Sequence, residues 1–428
     1  MTSGLCLGWE RAAASVPGPI GFVRPQAIMD HARTRGGLVV DKTDSHMVVL
    51  APTGAGKSRG LSIPNLLHWN GSAVVIDVKG ELYATTAAFR RDVLRQNIVV
   101  LDPWKQATDS PNRFNPLSGL GKPGSDPVDE ARQHAHMLSP PHAFAREPFW
   151  PERAETAIAS WMVYYAWSQA SGARLGDIWR VMHGDVEHEI QLNIGDHEDT
   201  MPAFALSNLI GHCGTPDVTR RSIEATAQSH LGIFGSESIQ QAVSETDFDI
   251  GMLSRGEGIT IYICIEPGKL HSHAALIRLW LSALLNVILK RRQRPRHSTL
   301  LLLDEVVQLG PMDQIRTILT LARSYGVRAM LLAQSFGSLE KCYPDAKSLI
   351  ENCGVIASFG HGSHSMSRDV AGLMGDVSAD RLFALEGDEL AIKQSGRETR
   401  ILRRLDYLTD TLFRTRAAPN PIFGQWRA

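Results

Sequence analysis

One short segment has the residue types and the spacing of a phosphate-binding loop. Ala51-Pro-Thr-Gly-Ala-Gly-Lys-Ser58 follows the apolar run Met47–Leu50 and opens a predicted helix that ends near Leu67. Phosphate groups are held by backbone N–H groups that no Cβ obstructs, by a cation, and by a hydroxyl that binds Mg²⁺. Alanine replaces the usual first glycine, which leaves the inner loop intact. The residues expected to contact a nucleotide are Thr53, Gly54, Ala55, Gly56, Lys57 and Ser58.

Two carboxylates follow a second apolar run. The four leucines Leu300–Leu303 are typical of a strand that is buried on both faces, and Asp304 and Glu305 come directly after them. Open α/β sheets bind ligands at the carboxyl ends of their strands, so we expect both acids in one cleft with the phosphate loop. Asp304 would hold Mg²⁺ through water, and Glu305 would polarise the attacking water. The alternative is a pair of acids that caps the next helix.

Two polar residues further along the chain are candidates for the same reaction. Gln334 ends the next predicted strand, where its amide is placed to orient the water or to sense the γ-phosphate. Arg323 precedes that strand, at the edge of the sheet away from its own phosphate loop. An arginine there is better placed to reach the nucleotide of a neighbouring subunit, as an arginine finger in trans. The alternatives are a capping amide for Gln334 and a surface ion pair for Arg323.

The elements around these residues indicate an α/β domain with a mostly parallel sheet. Short β-branched or leucine-rich runs alternate with helical spacing before residue 117 and again after residue 245, which is the pattern of parallel strands with crossover helices. The predicted strands are His46–Leu50, Ala73–Asp77, Ile98–Leu101, Ile259–Cys264, Leu300–Leu303, Ala329–Leu332 and Val355–Ser358. Between residues 118 and 245 only helical spacing occurs, for example at Ile158, Trp161 and Tyr165. We therefore expect a nucleotide-binding domain formed by residues 1–117 and 246–428, interrupted by an all-helical insertion.

Composition restricts the classes of function. The 428 residues include 44 Lys and Arg against 45 Asp and Glu, which excludes attachment to nucleic acid or lipid by bulk charge but permits a local basic groove. The five cysteines form no close pair, so neither a disulfide framework nor a cysteine zinc site is supported, and a reducing cytosol fits best. The longest apolar stretch, Ala274–Leu289, contains Arg278 and is shorter than the roughly 20 residues that span a bilayer.

The motifs taken together resemble the TraG/TraD family of type IV secretion coupling proteins, over residues 45 to 415. After the phosphate loop they occur in the family's order. They are Ile63-Pro-Asn-Leu-Leu67, Val75-Ile-Asp-Val-Lys-Gly-Glu81, Leu101-Asp-Pro103, Phe114-Asn-Pro-Leu117, Phe149-Trp150, Leu303-Asp-Glu305, Ala322-Arg-Ser-Tyr-Gly326 and Ala333-Gln-Ser335. The Asp-x-Lys-Gly-Glu and Asn-Pro-Leu motifs distinguish this family from other P-loop ATPases.

The resemblance implies a RecA-like motor domain, an all-alpha insertion and a homo-hexameric ring. It implies an ATPase that uses ATP and Mg²⁺ to pass DNA, single-stranded and linked to a relaxase, or effector proteins toward a type IV secretion channel. Relaxase or effector proteins would dock on the all-alpha insertion. It also implies that Arg323 is the arginine finger and Gln334 the sensor. Many family members begin with transmembrane helices and this sequence shows none. Either partners recruit the chain to the membrane, or the membrane part is supplied by another chain or was removed, and we expect the chain on the cytosolic side, peripheral at the inner membrane.

Other signals are ambiguous. Five cations between Lys290 and Arg296 would line a DNA path or form a solvated loop, and a stretch from Val181 to Thr219 has seven acids and no Lys or Arg. That stretch would receive basic substrate signals or be an ordinary surface. Asp77 and Lys79 would connect the nucleotide state to the ring channel or form a structural turn. The histidine pairs lack converging ligands, so no metal site beyond Mg²⁺ is expected.

Three functions remain open on the sequence. The first is a DNA-translocating ATPase of a conjugation or secretion system. The second is a docking receptor for effectors that uses ATP mainly to hold a ring. The third is a DNA-pumping motor of the FtsK/HerA class, against which the Asn-Pro-Leu motif and the helical insertion argue.

Overall fold

The architecture comes from a computed structural model, which describes residues 4–11, 36–122, 124–139, 149–194, 197–360 and 362–421. Eleven strands in these ranges form one sheet. They are β1 (Leu5–Trp9), β2 (Leu38–Asp41), β3 (Met47–Leu50), β4 (Ala73–Asp77), β5 (Asn97–Leu101), β6 (Ile259–Cys264), β7 (Thr299–Leu303), β8 (Val327–Ala333), β9 (Val355–Phe359), β10 (Glu389–Gln394) and β11 (Arg400–Arg403).

The sheet has a parallel centre and an antiparallel extension. Its order is β2-β1-β11-β10-β9-β3-β8-β7-β4-β6-β5. All pairings from β9 to β5 are parallel, and all pairings from β2 to β9 are antiparallel. The predicted α/β class with a mostly parallel sheet is therefore confirmed.

Seven strands lie where the sequence predicted them, with bounds that differ by at most two residues. The four antiparallel strands were not predicted. They are short, and they come from the two ends of the chain, where β1 pairs with β11 at Trp9 and Arg403. Because this pairing joins segments nearly four hundred residues apart, the local periodicity of the sequence does not predict it.

The helices cover both faces of the sheet. In chain order they are α1 (Ile63–His68), α2 (Glu81–Asp92), α3 (Pro127–Leu138), α4 (Phe149–Ser168), α5 (Leu175–His183), α6 (Val186–Ile194), α7 (Ala203–Cys213), α8 (Asp217–Leu231), α9 (Glu237–Ala242), α10 (Gly251–Arg255), α11 (Ala274–Leu289), α12 (Asp313–Thr320), α13 (Phe336–Cys342), α14 (Ala346–Glu351), α15 (His364–Met374), α16 (Ala379–Phe383) and α17 (Thr411–Arg414). Between β5 and β6 the described residues form helices and turns, and α3 to α10 lie there.

Alternate residues of the central strands enter two separate hydrophobic cores. In β7, Leu301 and Leu303 join the core that also contains the buried side chains of α3 to α9. Leu300 and Leu302 face the opposite core, which includes α1 and the antiparallel strands. Successive side chains of a strand point to opposite faces, so a strand that is covered on both sides needs an uninterrupted apolar run. This burial on both sides is the reason for the four consecutive leucines.

The helix after the phosphate loop starts with a π turn, Ser58–Ser62, before α1. Pro64 has no N–H and so cannot donate to the carbonyl of Gly60, which removes one ordinary helical hydrogen bond at this point. Instead, the N–H of Ile63 donates to the carbonyl of Ser58. The predicted helix is present, and its first turn is wider than expected.

The structure gives most of the basic run a structural role. Arg291 is 8% exposed and donates to the carbonyls of Leu253 and Tyr325 and to the hydroxyl of Thr299. Lys290 forms an ion pair with Glu130, and Arg294 forms one with Asp44. These cations therefore join neighbouring segments, and Arg292 and Arg296 stay exposed.

The acidic stretch is partly neutralised by a cation just beyond it. Arg220 contacts Glu187 and Asp217, both at 2.9 Å. Asp196 lies outside the described residues.

Among the described residues, no helix combines the length and the apolar character that a membrane crossing requires.

Candidate nucleotide site

Three neighbouring strands bring the predicted site residues to one edge of the sheet. The phosphate loop follows β3, Gln334 follows β8, and Asp304 and Glu305 follow β7. Strand β8 lies between β3 and β7, and all three are parallel. Their carboxyl ends therefore open into the same cleft, as the sequence predicted for Gln334 and the two acids.

The phosphate loop has the backbone geometry that its glycines permit. Gly54 and Gly56 have φ angles of 79° and 84°, a region that side chains disfavour. No atom lies within 4 Å of the position that a Cβ of Gly54 would occupy, so the loop has open space beside it. Thr53 and Gly54 are exposed, whereas Ala55, Gly56 and Ser58 are half-buried.

A chain of polar contacts links the loop to the carboxylates. Lys57 is 7% exposed, and its Nζ donates to the Ala51 carbonyl at 2.9 Å. The same Nζ lies 3.6 Å from Oε1 of Glu305. Gln334 Nε2 donates to Oε2 of Glu305 at 3.1 Å. The structure thus brings Lys57, Glu305 and Gln334 together, with one Glu305 oxygen facing Lys57 and the other bonded to Gln334.

Two carboxyl groups in the cleft are hard to ionise. Burial and the nearby charge of Glu305 raise the pKa of Asp304 to about 7, although Lys57 opposes the shift. Burial likewise raises the pKa of Asp77 to about 6. Asp77 accepts hydrogen bonds from the N–H groups of Tyr83 and Lys79 at 2.8 and 3.4 Å, so it also organises the start of α2. A cation near Asp304 would favour its ionised form.

Glu305 has a backbone conformation that the sequence did not suggest. Its φ is 51° and its ψ is 41°, the left-handed region, which is uncommon for a residue with a side chain. Glu305 leads into the 3₁₀ turn Val306–Leu309. Strained backbone of this kind concentrates at functional sites. Glu305 is the residue before this turn, where the alternative of a helix cap would place an acid, but its side chain makes no capping hydrogen bond and contacts Lys57 and Gln334 instead.

Arg323 is apart from the other predicted residues. It lies before β8, at the edge of the sheet opposite the phosphate loop, and it is exposed. Its Nη2 donates to the Asn352 carbonyl at 3.0 Å. Within one chain, Arg323 is therefore outside the cleft, as the sequence placed it.

One further cation lies at the phosphate loop, and no pattern in the sequence predicted it. Arg404, which follows β11, donates a hydrogen bond to the carbonyl of Ala55. The two residues are 349 positions apart, and no motif contains Arg404.

The residues of the cleft fit Mg²⁺ and a nucleoside triphosphate. The loop offers glycines with open space at Gly54, a buried cation at Lys57 and a hydroxyl at Ser58. Oxygen ligands are what Mg²⁺ prefers, and Asp304 and Ser58 are the residues that could hold it. The raised pKa of Asp304 indicates a carboxyl group that gains from a nearby cation.

Comparison with known proteins identifies the family. The family model described as "Type IV secretory system Conjugative DNA transfer" matches residues 9–364. The chain belongs to this family. Membership confirms the resemblance to coupling proteins that the motifs predicted, and it does not favour the FtsK/HerA alternative.

Curated members of this conjugative DNA transfer family are distant in sequence and longer than the chain. The conjugal transfer protein TraG of Escherichia coli is 24% identical over 341 residues, which cover 72% of this chain and 52% of that protein. Protein VirD4 of Agrobacterium fabrum is 26% identical over 330 residues, which cover 75% of this chain and 48% of that protein. The chain spans about half the length of the curated relatives it matches.

Solved structures share the fold of this family member. The bacterial conjugative coupling protein TrwBdeltaN70 superposes with a TM-score of 0.66 at 14% identity, covering 85% of this chain and 86% of that one. TrwB in complex with ADP and Mg²⁺ gives a TM-score of 0.64 at 16% identity, with 85% and 86% covered. The likeness confirms the α/β, RecA-like P-loop fold class.

Proposed function

We propose that the chain is the ATP-driven coupling protein of a type IV secretion or conjugation system. The observation that carries this proposal is the contact chain Lys57–Glu305–Gln334 beside the phosphate loop. Family membership supplies the class of process, and the TrwB complex with ADP and Mg²⁺ supports the same ligands here. ATP hydrolysis would be coupled to the passage of cargo toward the secretion channel.

Each residue of the cleft has a distinct role in this proposal. Thr53, Gly54, Ala55 and Gly56 supply backbone contacts to the phosphates, Lys57 pairs with the terminal phosphates, and Ser58 and Asp304 hold Mg²⁺. Bound Mg²⁺ supplies charge neutralisation at the phosphates. Glu305 accepts a proton from the attacking water, and Gln334 keeps the Glu305 carboxylate oriented for that purpose.

Arg323 acts in the site of the next subunit. It is exposed at the opposite edge of the sheet, so a head-to-tail ring can present it to a neighbour's phosphate loop. An arginine at the transferring phosphate contributes strongly to the rate, so hydrolysis by a lone chain would be slow. We infer a homo-hexamer as the active form, as the family resemblance implied.

The cargo and its receptor surface belong to the same proposal. Relaxase-linked single-stranded DNA and effector proteins are the two classes of cargo in this proposal, carried singly or together. The helical segment 118–245 would receive these proteins, because it carries the acidic stretch and packs on one face of the sheet. The ring would work at the cytoplasmic face of the inner membrane.

Mixing two inactive variants tests the shared site. ATP hydrolysis is measured for the wild-type chain, Lys57→Ala, Arg323→Ala and an equimolar mixture of the variants, with and without single-stranded DNA. Both variants alone are expected to be nearly inactive. In the mixture, roughly a quarter of the interfaces in a random ring combine an intact loop with an intact arginine, so activity is expected to return in part.

Arg292→Ala is the matched control, because Arg292 is also an exposed arginine at that edge of the sheet. Its activity without DNA is expected to equal that of the wild type. A mixture as inactive as its components would contradict a site shared between subunits. Wild-type specific activity that does not rise with protein concentration would contradict the ring.

A further inference from the structure

The antiparallel extension of the sheet reaches back to the phosphate loop. Strands β10 and β11 form a hairpin, and β10 pairs with β9, the neighbour of β3. The hairpin lies beyond residues 9–364, the part of the chain that the family model matches. Residues after β11 nevertheless contact the loop and the π turn that follows it.

Arg404 is fixed on three sides at this contact. Its Nη1 donates to the Gly387 carbonyl at 2.7 Å, and its guanidinium lies 4.4 Å from the ring centroid of Phe359. Its Nη2 donates to the carbonyl of Ala55. A Cβ on Gly56 would collide with the same Nη2, so the guanidinium is packed directly against the loop backbone.

A second tie holds the segment after β11 to the same region. Arg59 donates to Asp406 through Nε at 2.7 Å and through Nη2 at 2.5 Å. The N–H of Tyr407 donates to the Arg59 carbonyl at 3.4 Å. The hairpin is thus anchored immediately after Ser58, and Arg404 is held near the loop by more than its own hydrogen bonds.

Peptide geometry gives the Arg404 contact a consequence for ligand binding. The Ala55 carbonyl and the Gly56 N–H belong to one planar, trans peptide unit, so they point in opposite directions. A donor that holds the carbonyl on the hairpin side directs the Gly56 N–H toward the other side, where the proposed function places the phosphates. Without that donor, the two glycines on either side of Ala55 leave the peptide free to rotate.

We propose that Arg404 is a positioning residue for nucleotide binding, which orients the Ala55–Gly56 peptide of the phosphate loop. The inference rests on the proposed function for the identity of the ligand. Its structural part, the ordering of the loop by the hairpin, can be measured on the protein alone. Arg404 therefore lets the C-terminal hairpin set the affinity of a site that is built from other strands.

The binding experiment uses Mg²⁺·ADP, titrated calorimetrically into the full chain. Loss of a charged hydrogen bond that preorganises the loop is expected to weaken binding at least about tenfold in Arg404→Ala. Arg404→Lys keeps the charge but cannot bridge Gly387 and Ala55, so intermediate affinity is expected. In steady-state hydrolysis, KM is expected to rise while kcat stays near the wild-type value, because Arg404 does not touch the reacting groups.

Arg403→Ala is the matched control. Arg403 directly precedes Arg404, and its replacement by alanine removes the same positive charge. Arg403 contacts Asp410 and the Trp9 ring instead of the loop. Wild-type affinity in Arg403→Ala with weak binding in Arg404→Ala supports the proposal. Equal affinity in wild type and Arg404→Ala overturns it.

Hydrogen exchange in the absence of nucleotide separates this inference from the proposed function. The peptide that covers residues 51–58 is expected to exchange faster in Arg404→Ala and Arg404→Lys than in wild type. Unchanged exchange overturns the positioning role whatever the ligand is. A third result is also decisive. If residues 51–58 exchange faster in Arg404→Ala than in wild type, but the wild-type chain binds no nucleotide, the ordering of the loop by Arg404 is supported and the proposed ATPase function is overturned.

Discussion

Lys57 contacts two oxygen acceptors in the cleft, the Ala51 carbonyl and the Glu305 carboxylate. The contact with Glu305, at 3.6 Å, is longer than a good hydrogen bond, whereas Gln334 holds the other Glu305 oxygen at 3.1 Å. Glu305 is therefore oriented mainly by its strained backbone and by Gln334. Under the proposed function, Lys57 would then bind a phosphate, and Glu305 would keep one oxygen for a water molecule.

Substitution Glu305→Gln separates binding from hydrolysis. The amide preserves the shape and can still contact Gln334, but it cannot accept a proton from water. The rate of ATP hydrolysis is expected to fall by about 10²- to 10⁴-fold, as for loss of a general base, while affinity for ATP is retained. Phosphate release and fluorescent-nucleotide titration measure the two effects.

Glu340→Gln is the control for that substitution, since Glu340 is an exposed glutamate on α13, the helix after Gln334. It is expected to leave both quantities unchanged. Hydrolysis near the wild-type rate in Glu305→Gln would exclude Glu305 as the base.

At the scale of elements, a buried arginine joins the 3₁₀ turn after Glu305 to the helical segment. Arg278 of α11 is 6% exposed and donates to the carbonyls of Met137, Ser139 and Leu309. Leu309 ends the 3₁₀ turn that Glu305 begins, and Met137 lies in the last turn of α3. The guanidinium thereby connects the position of Glu305 to the inserted helices.

Arg278→Met is expected to lower the free energy of unfolding by about 3 kcal/mol. Three carbonyls lose a charged donor, and such hydrogen bonds contribute on the order of 1 kcal/mol or more each. Urea denaturation measures the loss. Hydrogen exchange is expected to increase in the last turn of α3 and in residues 306–309.

Lys290→Met is the comparison for Arg278→Met. The Lys290–Glu130 ion pair connects the end of α11 to α3 at the surface, where Lys290 is half exposed. Removal of an exposed pair is expected to cost less than about 1 kcal/mol. If both variants lose the same free energy of unfolding, Arg278 contributes no more to stability than a surface ion pair does.

At the scale of the whole molecule, buried histidines make stability depend on pH. His134 on α3 is 3% exposed, and burial lowers its pKa to about 4. Burial also lowers the pKa of His46 to about 4, and His46 Nδ1 accepts a hydrogen bond from Ala329 N at 3.0 Å. An unfolded histidine titrates near 6.5. The unfolded chain therefore binds more protons below that pH, and stability is lost as pH falls from about 6.5 toward 4.

His134→Leu is expected to flatten this dependence. When the pH falls from about 6.5 to 5, a histidine that stays neutral in the folded state lowers the free energy of unfolding by up to about 2 kcal/mol. Leucine does not titrate, so this decrease is absent in the variant. The side chain of Leu also suits the site, since His134 Nδ1 has no hydrogen-bond partner among the described residues. Urea denaturation at several pH values measures the slope.

The neighbouring exposed histidine provides a control of opposite sign. A hydrogen bond with Glu155 raises the pKa of His136, so His136 contributes stability at low pH. His136→Leu is therefore expected to steepen the loss of stability on acidification. If the free energy of unfolding depends on pH equally in His134→Leu and in wild type, the buried His134 does not cause the loss of stability at low pH.

Local sequence determined the elements that carry the chemistry. The phosphate loop, the four leucines before Asp304 and Glu305, and the strand before Gln334 each have a signature within a few residues, because one strand or turn sets the spacing of its own side chains. Their convergence was predictable as well, since parallel strands place their carboxyl ends along one edge. The family followed from the order of these motifs.

Tertiary structure alone decided which distant groups meet. The left-handed backbone of Glu305, the burial of Arg291 within the basic run, and the contact of Arg404 with Ala55 depend on how strands pair across the whole chain. No local pattern encodes a contact between segments 349 residues apart, because the pairing of β11 with β10 and β1 fixes it. A hydrogen bond acts only over about 3 Å, so it is decided once the fold has brought donor and acceptor together.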